Sequence, residues 1–200
     1  MSDAREFALF CAVRRTDPTA ADTLLAAVAA CAKAAGLKLA GVLQREVQRP
    51  GRRRCDMDLI DLASDTIIRI SEDRGNLARG CRVDTGALAE AIELVERSIR
   101  TGGPDLVILN KFGKAEENGG GMRHAIGAAL LADIPVLLSV GERALPAFEH
   151  FAGDLCTVIE ADAQALSEWL RVRFGVEANL ATTLSSHATT TPINIRPVER

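Results

Sequence analysis

The chain has no tyrosine and one tryptophan, Trp169, and aromatic residues fill only 4% of its 200 positions. Single-stranded nucleic acid is held largely by stacking bases on aromatic rings. That scarcity argues against such a partner, even for the densest basic run, Arg49-Pro-Gly-Arg-Arg-Arg54. A formal charge of −3 supplies no global attraction for a polyanion either. Five cysteines, Cys11, Cys31, Cys55, Cys81 and Cys156, are odd in number and far apart, with no C-x-x-C pair. They point to neither a zinc site nor a dithiol redox motif and fit a reducing cytoplasm, and whether Cys55 and Cys81 meet in space is left open. No apolar run approaches the roughly 18 residues of a spanning helix, and the opening Met-Ser-Asp-Ala-Arg-Glu lacks the apolar core of an export signal. The expectation is a cytoplasmic protein with no membrane insertion and no nucleic-acid partner.

Two further absences bear on nucleotide chemistry. The stretch Ala12 to Asp22, between a first apolar run and an alanine-rich one, contains no glycine and no lysine. The phosphate cradle G-x-x-x-x-G-K-[ST] is therefore missing where it would belong. The run Leu106-Val-Ile-Leu109 empties into Asn110 and Lys111, where a magnesium-dependent nucleotide hydrolase would carry an acidic residue.

What is present is a chain 48% hydrophobic, enough for one domain with a substantial core. Apolar runs of strand length alternate with helical periods, the pattern of βαβ units. Strands are expected at 7–13, 37–44, 106–109, 135–140 and 156–159. Segments 55–62 and 66–71, joined by Ala-Ser-Asp, read as an antiparallel hairpin. Pro18 after Asp17 starts a first helix that stops at Gly36, and Asp84 caps a second over 85–100. Further helices are expected near 122–131, 144–151 and 163–174. The fold class is thus α/β: three layers, with a mainly parallel sheet of about five strands plus a hairpin. Residues 1–178 form the single domain, and the Thr, Ser and Pro-rich 179–200 form a flexible tail.

In such a sheet the loops at the carboxyl ends of the strands converge on one crevice. The first loop offers Arg14, Arg15 and Thr16 at a helix N-terminus, where free N–H groups and the positive dipole end favour an oxyanion. A long connection carries Arg74, Arg79 and Arg82 beside Gly75 and Gly80, with Glu72, Asp73 and Asp84 as competing internal partners. A third loop holds Asn110, Lys111 and Lys114, then Glu116, Glu117 and the hinge-like Gly119-Gly120-Gly121. Asp73, Glu116 and Glu117 are the candidate catalytic or metal-holding acids, and Arg14, Arg15, Thr16, Arg74, Arg79, Arg82, Asn110, Lys111 and Lys114 are the candidate ligand contacts. A homodimer is the ordinary expectation for a soluble protein.

The order of these elements, together with Gly41-Val-Leu-Gln44, Asp58-Leu-Ile-Asp-Leu62 and Leu106-Val-Ile-Leu-Asn-Lys-Phe-Gly-Lys114, resembles the small nucleoside-triphosphatase family of P-loop proteins. Cys55-Asp-Met-Asp-Leu, Asp73-Arg-Gly, Arg79-Gly-Cys-Arg82 and Asn110-Lys-Phe-Gly-Lys114 carry a closer likeness over residues 7 to about 172. They are similar to an uncharacterised bacterial P-loop-like family related to those nucleotidases and often found beside molybdenum-uptake genes. The resemblance implies a P-loop-NTPase-like fold, and the genomic association implies molybdate or a related oxyanion. With both hydrolase motifs missing, the expected function is binding of an oxyanion or nucleotide as a sensor, carrier or accessory factor. The alternatives are a nucleoside triphosphatase or phosphotransferase with an unorthodox magnesium site, and a protein-interaction module.

Overall fold

The protein is described here by a computed structural model over residues 9–50, 55–72 and 82–187. Strand β1 (Phe10–Arg15) begins with four buried residues and exits through its two arginines. Helix α1 (Pro18–Ala34) follows, started as expected by Asp17, whose Oδ1 accepts hydrogen bonds from the N–H of Thr19 at 2.8 Å and of Ala20 at 3.4 Å. Next come β2 (Leu39–Val47), β3 (Asp56–Asp61) and β4 (Ile67–Arg69). Helix α2 (Thr85–Gly102) is capped by Asp84, which accepts from Gly86 and Ala87. Then follow β5 (Leu106–Phe112), a single turn α3 (Lys114–Glu117), α4 (Arg123–Leu131), β6 (Val136–Gly141), α5 (Leu145–Ala152), β7 (Cys156–Glu160), α6 (Ala163–Phe174) and α7 (Leu180–His187).

The seven strands of the described residues join one sheet in the order β4-β3-β2-β5-β6-β1-β7. The stretch β2-β5-β6-β1-β7 is parallel, while β3 and β4 add antiparallel at one edge. The expected count of about five is therefore corrected to seven, because the hairpin continues the main sheet. A second correction concerns 179 onward: Leu180–His187 is a helix, and Leu180 is fully buried against the α1 and α6 side. Residues 188–200 lie outside the described part.

Helices cover both faces of the sheet. On one, Phe10, Leu109, Phe112 and Leu138 meet α2, α4 and α5; on the other, Val13, Ile108 and Leu137 meet α1 and α6, with Trp169 at the centre. Each such side chain contributes roughly 1.5–3 kcal/mol through loss of apolar surface from water. Phe148 packs edge-on against both Phe10 and Phe112, with centroids 5.4 and 5.2 Å apart. Strand β2 lies so close to β5 that a Cβ at Gly41 would fall 1.9 Å from the Ile108 carbonyl oxygen. Gly41 also has φ +110°, so only glycine fits there.

Beyond Val42, β2 leaves β5 and runs on with β3 alone. This projecting hairpin is stiffened by charge. Asp58, 2% exposed, accepts from Arg45 at 3.0 Å and Arg69 at 2.7 Å, and Asp56 receives Arg69 at 2.9 Å as well as Arg49. Burial opposes ionisation of Asp58, but the hydrogen bonds from Arg69 and Arg45 outweigh it and hold the carboxyl below its usual range. Among the described residues, no helix is long and apolar enough to cross a membrane.

Candidate functional site

Strands β1 and β6 are neighbours, yet the helix after β1 lies on one face of the sheet and the helix after β6 on the other. That divergence makes the carboxyl ends of these strands the place where open α/β sheets form their ligand crevice. Arg15 is the last residue of β1 and pairs in register with Gly141 of β6. Its guanidinium lies over that glycine: a Cβ at 141 would sit 3.7 Å from one terminal nitrogen.

The next strand, β5, reaches the crevice through a bulge. Leu109 pairs with Leu138 and Phe112 with Val140, so Asn110 and Lys111 together oppose Ser139 alone. An extra residue of this kind re-aims side chains near functional sites. Ser139, fully buried in an otherwise apolar strand, donates its hydroxyl to the Asn110 carbonyl and holds the bulge closed. Asn110 Oδ1 accepts from the Gln44 N–H at 3.2 Å, standing in for a peptide carbonyl where β2 and β5 part. Lys111 Nζ donates to Gln44 Oε1 at 3.2 Å.

Charges from four elements meet here: Asp22 of α1 and Lys111 of β5 lie in each other's field and in those of Arg15 of β1 and Glu46 of β2. Burial, aided by the charge of Arg15, pushes the Lys111 ammonium down; Asp22, Glu116 and Glu46 pull the other way. Burial pushes the Asp22 carboxyl up despite Arg15 and Lys111, with Glu46 adding to the rise. The polar atoms at this end of the sheet are poorly satisfied. Asp22 Oδ1 and Asn110 Nδ2 are buried without a hydrogen-bond partner among the described residues. Native interiors rarely leave such groups unpaired, and these two stand beside Arg15 and Lys111, while Arg45 Nε, Asp61 Oδ1 and Trp169 Nε1 are unpaired elsewhere.

Of the residues singled out in the sequence, Arg15, Asn110 and Lys111 come together. Arg14 turns toward β7, where its Nε lies 3.6 Å from Glu160. Consecutive strand residues point to opposite faces, which separates the two arginines. Thr16 and Lys114 are exposed at the ends of their loops. Arg82 donates to the Cys55 carbonyl at 2.6 Å and braces the hairpin. Arg74, Arg79, Asp73 and Cys81 lie outside the described residues, as do positions 51–54 of the basic run; Arg49 is bound to Asp56.

Glu116 has a clear place. It is 8% exposed, and its carboxylate accepts from the Gly113 and Met122 N–H groups, each at 2.9 Å, so it latches the β5–α4 loop. A Cβ at Gly121, where φ is +60°, would lie 2.0 Å from Glu116 Oε1. The latch therefore requires glycine. Glu117 is exposed. Among the described residues, no three His, Cys, Asp or Glu side chains gather in a way that could hold a metal ion.

Asp22, Gln44, Glu46 and Ser139 went unnoticed in the sequence. Ser139 had a signal, as the one polar residue in Val136-Leu-Leu-Ser-Val140, and so did the alternation of Gln44 and Glu46 at the end of an apolar strand. Asp22 was hidden one turn inside an alanine-rich helix.

Comparison with known proteins adds to this geometry. Residues 10–169 match the family described as protein of unknown function (DUF2478). The chain belongs to the DUF2478 family. This DUF2478 chain is also 34% identical over 150 residues to the molybdenum import ATP-binding protein ModC 2 of Bradyrhizobium diazoefficiens. The shared segment is 75% of this chain but 17% of that protein, so the chain spans under a fifth of the relative's length. No solved structure matches.

Proposed function

We propose that the protein binds a small anion, either a tetrahedral oxyanion or the phosphate group of a nucleotide, in the crevice between β1 and β6. It serves molybdenum uptake as a sensing, carrying or accessory factor. The observation that carries this reading is the meeting of Arg15 and Lys111 near α1, in a chain with no glycine-rich cradle. Arginine stays protonated and forks onto two oxygens, so an anion can be held without a metal. The link to molybdenum rests on the name of a relative that shares only a segment with this chain.

The words "ATP-binding" in that name favour a second reading, a nucleoside triphosphatase. Glu116 contributes little to it, since both its carboxylate oxygens already receive backbone N–H groups. Isothermal titration calorimetry with molybdate, tungstate, phosphate, sulfate, ADP and ATP, each with and without magnesium, tests the proposal. The expected result is metal-independent binding of at least one anion that Arg15→Gln weakens by about tenfold or more. Binding that needs magnesium, with turnover, would favour the enzyme. Binding indifferent to Arg15 would remove the crevice as the site.

A further inference from the structure

The same crevice contains a feature that a simple cation trap would not need. Asp22 projects from α1 among Arg15, Lys111 and Glu46, half-buried, and its Oδ1 accepts no hydrogen bond among the described residues. Among the described residues no arginine or lysine is hydrogen-bonded to that oxygen, although two lie within electrostatic reach. A buried carboxyl oxygen without a donor is costly, and the deficit disappears when a donor arrives.

Resting on the reading of the crevice as an anion site, we infer that Asp22 selects the ligand by its proton: the site takes an oxyanion that still carries an acidic hydrogen, a hydrogen phosphate group, and disfavours fully deprotonated tetrahedral anions. Arg15 and Lys111 meet the charged oxygens, and the remaining P–O–H donates to Asp22. Sulfate and molybdate at neutral pH bring only acceptor oxygens and would set one of them against the carboxylate. A site built to hydrogen-bond a group rejects the analogue lacking it, because its own polar atom is then left unpaired. This narrows the proposed class to phosphate groups that keep a P–O–H and leaves out a carrier of molybdate.

The raised affinity of Asp22 for a proton has a further consequence with a definite sign. As pH falls through the Asp22 titration, the carboxyl becomes a donor and a deprotonated anion no longer meets an opposing acceptor. The groups facing Asp22 are Arg15 from β1, Lys111 from β5 and Glu46 from β2. Glu46 is the other carboxylate facing Asp22, so it is substituted alongside it.

The test is calorimetric titration of the full chain with sodium phosphate and with sodium sulfate at matched ionic strength, in wild type, Asp22→Asn and Arg15→Gln, each first shown to melt cooperatively. Phosphate is expected to bind about tenfold more tightly than sulfate at neutral pH. Asp22→Asn, whose amide can donate, should erase or reverse that preference and strengthen sulfate binding. Sulfate binding should strengthen on acidification in wild type and in Glu46→Gln, but not in Asp22→Asn.

Equal affinities in wild type, or an unchanged preference in Asp22→Asn, would overturn the inference. If the two equal affinities vanish together in Arg15→Gln, the crevice stands as an anion site and only the selection by Asp22 fails. If wild type binds neither anion the inference fails, and the crevice reading fails with it when molybdate, tungstate, ADP and ATP are not bound either. Ribose 5-phosphate separates the sources of the group: a phosphomonoester loses its last proton near pH ~6, whereas inorganic phosphate keeps one well above it. Ester binding that weakens through that pH while phosphate binding holds marks free phosphate as the preferred form.

Discussion

The β2–β3 hairpin and the crevice both gather charges of opposite sign, and they treat them in opposite ways. In the hairpin, Asp58 is hydrogen-bonded by Arg45 and Arg69, and Asp56 by Arg69. In the crevice, Asp22 and Lys111 sit in each other's field without bonding, and burial works against the charged form of each. Satisfied pairs hold a shape. Unsatisfied, desolvated ones keep free energy in reserve that an incoming ligand can release. The difference separates a structural cluster from a binding one more clearly than charge composition does.

The comparison can be broken first at the hairpin. Asp58→Ala is expected to cost about 2–3 kcal/mol in urea unfolding, because two guanidinium groups lose their shared acceptor. The loss stays moderate because Arg45 and Arg69 are 40% and 38% exposed and recover water. Asp58 ionises more readily in the folded than in the unfolded chain. Its contribution is therefore complete above the unfolded value near pH ~4 and disappears as pH falls through the lower folded one, where wild type and Asp58→Asn should converge in stability. A difference that persists or grows on acidification would contradict this.

A smaller effect is expected at the loop between the two regions. Glu116→Ala should cost about 1–2 kcal/mol by removing the acceptor of the Gly113 and Met122 N–H groups. Hydrogen exchange at those two amides should rise while exchange in β5 stays slow. Smallest, and opposite in sign, is Lys111→Met, which removes an ammonium that burial disfavours and is expected to stabilise the fold by about 0.5–1 kcal/mol. A destabilisation of similar size would mean that Lys111 is a structural group like those of the hairpin.

Much of the architecture was legible because it depends on local rules. Asp17 and Asp84 announce their helices through short polar side chains that reach N–H groups two or three residues on. The alternation of strand and helix set the layers, and the Ala-Ser-Asp turn betrayed the hairpin. The far part of β2 was harder to read, since Arg45 and Glu46 look like loop residues until Asp58 and the partner strand are in place. Helix α7 was missed because its polar Thr and Ser residues mask the apolar anchor Leu180.

The candidate site was only partly legible for the same reason. Arg14 and Arg15 are equivalent as letters, and the strand period sends them to different neighbours. Lys111 reaches the crevice through a bulge defined by register with β6, which is a property of two strands 24 or more residues apart rather than of either one. Glu116 looked like a catalytic acid on a glycine-rich loop, and its role as a latch became visible only with Gly121 folded against it.

The central claim is that the crevice charges are held for an anion while the hairpin charges hold the fold. It is tested most directly by the shift in melting temperature that phosphate produces in wild type, Lys111→Met and Arg69→Gln at constant ionic strength. The shift should be lost in Lys111→Met, despite its higher starting stability, and kept in Arg69→Gln, despite its lower one. A shift that survives in Lys111→Met, or that disappears with Arg69, would contradict it.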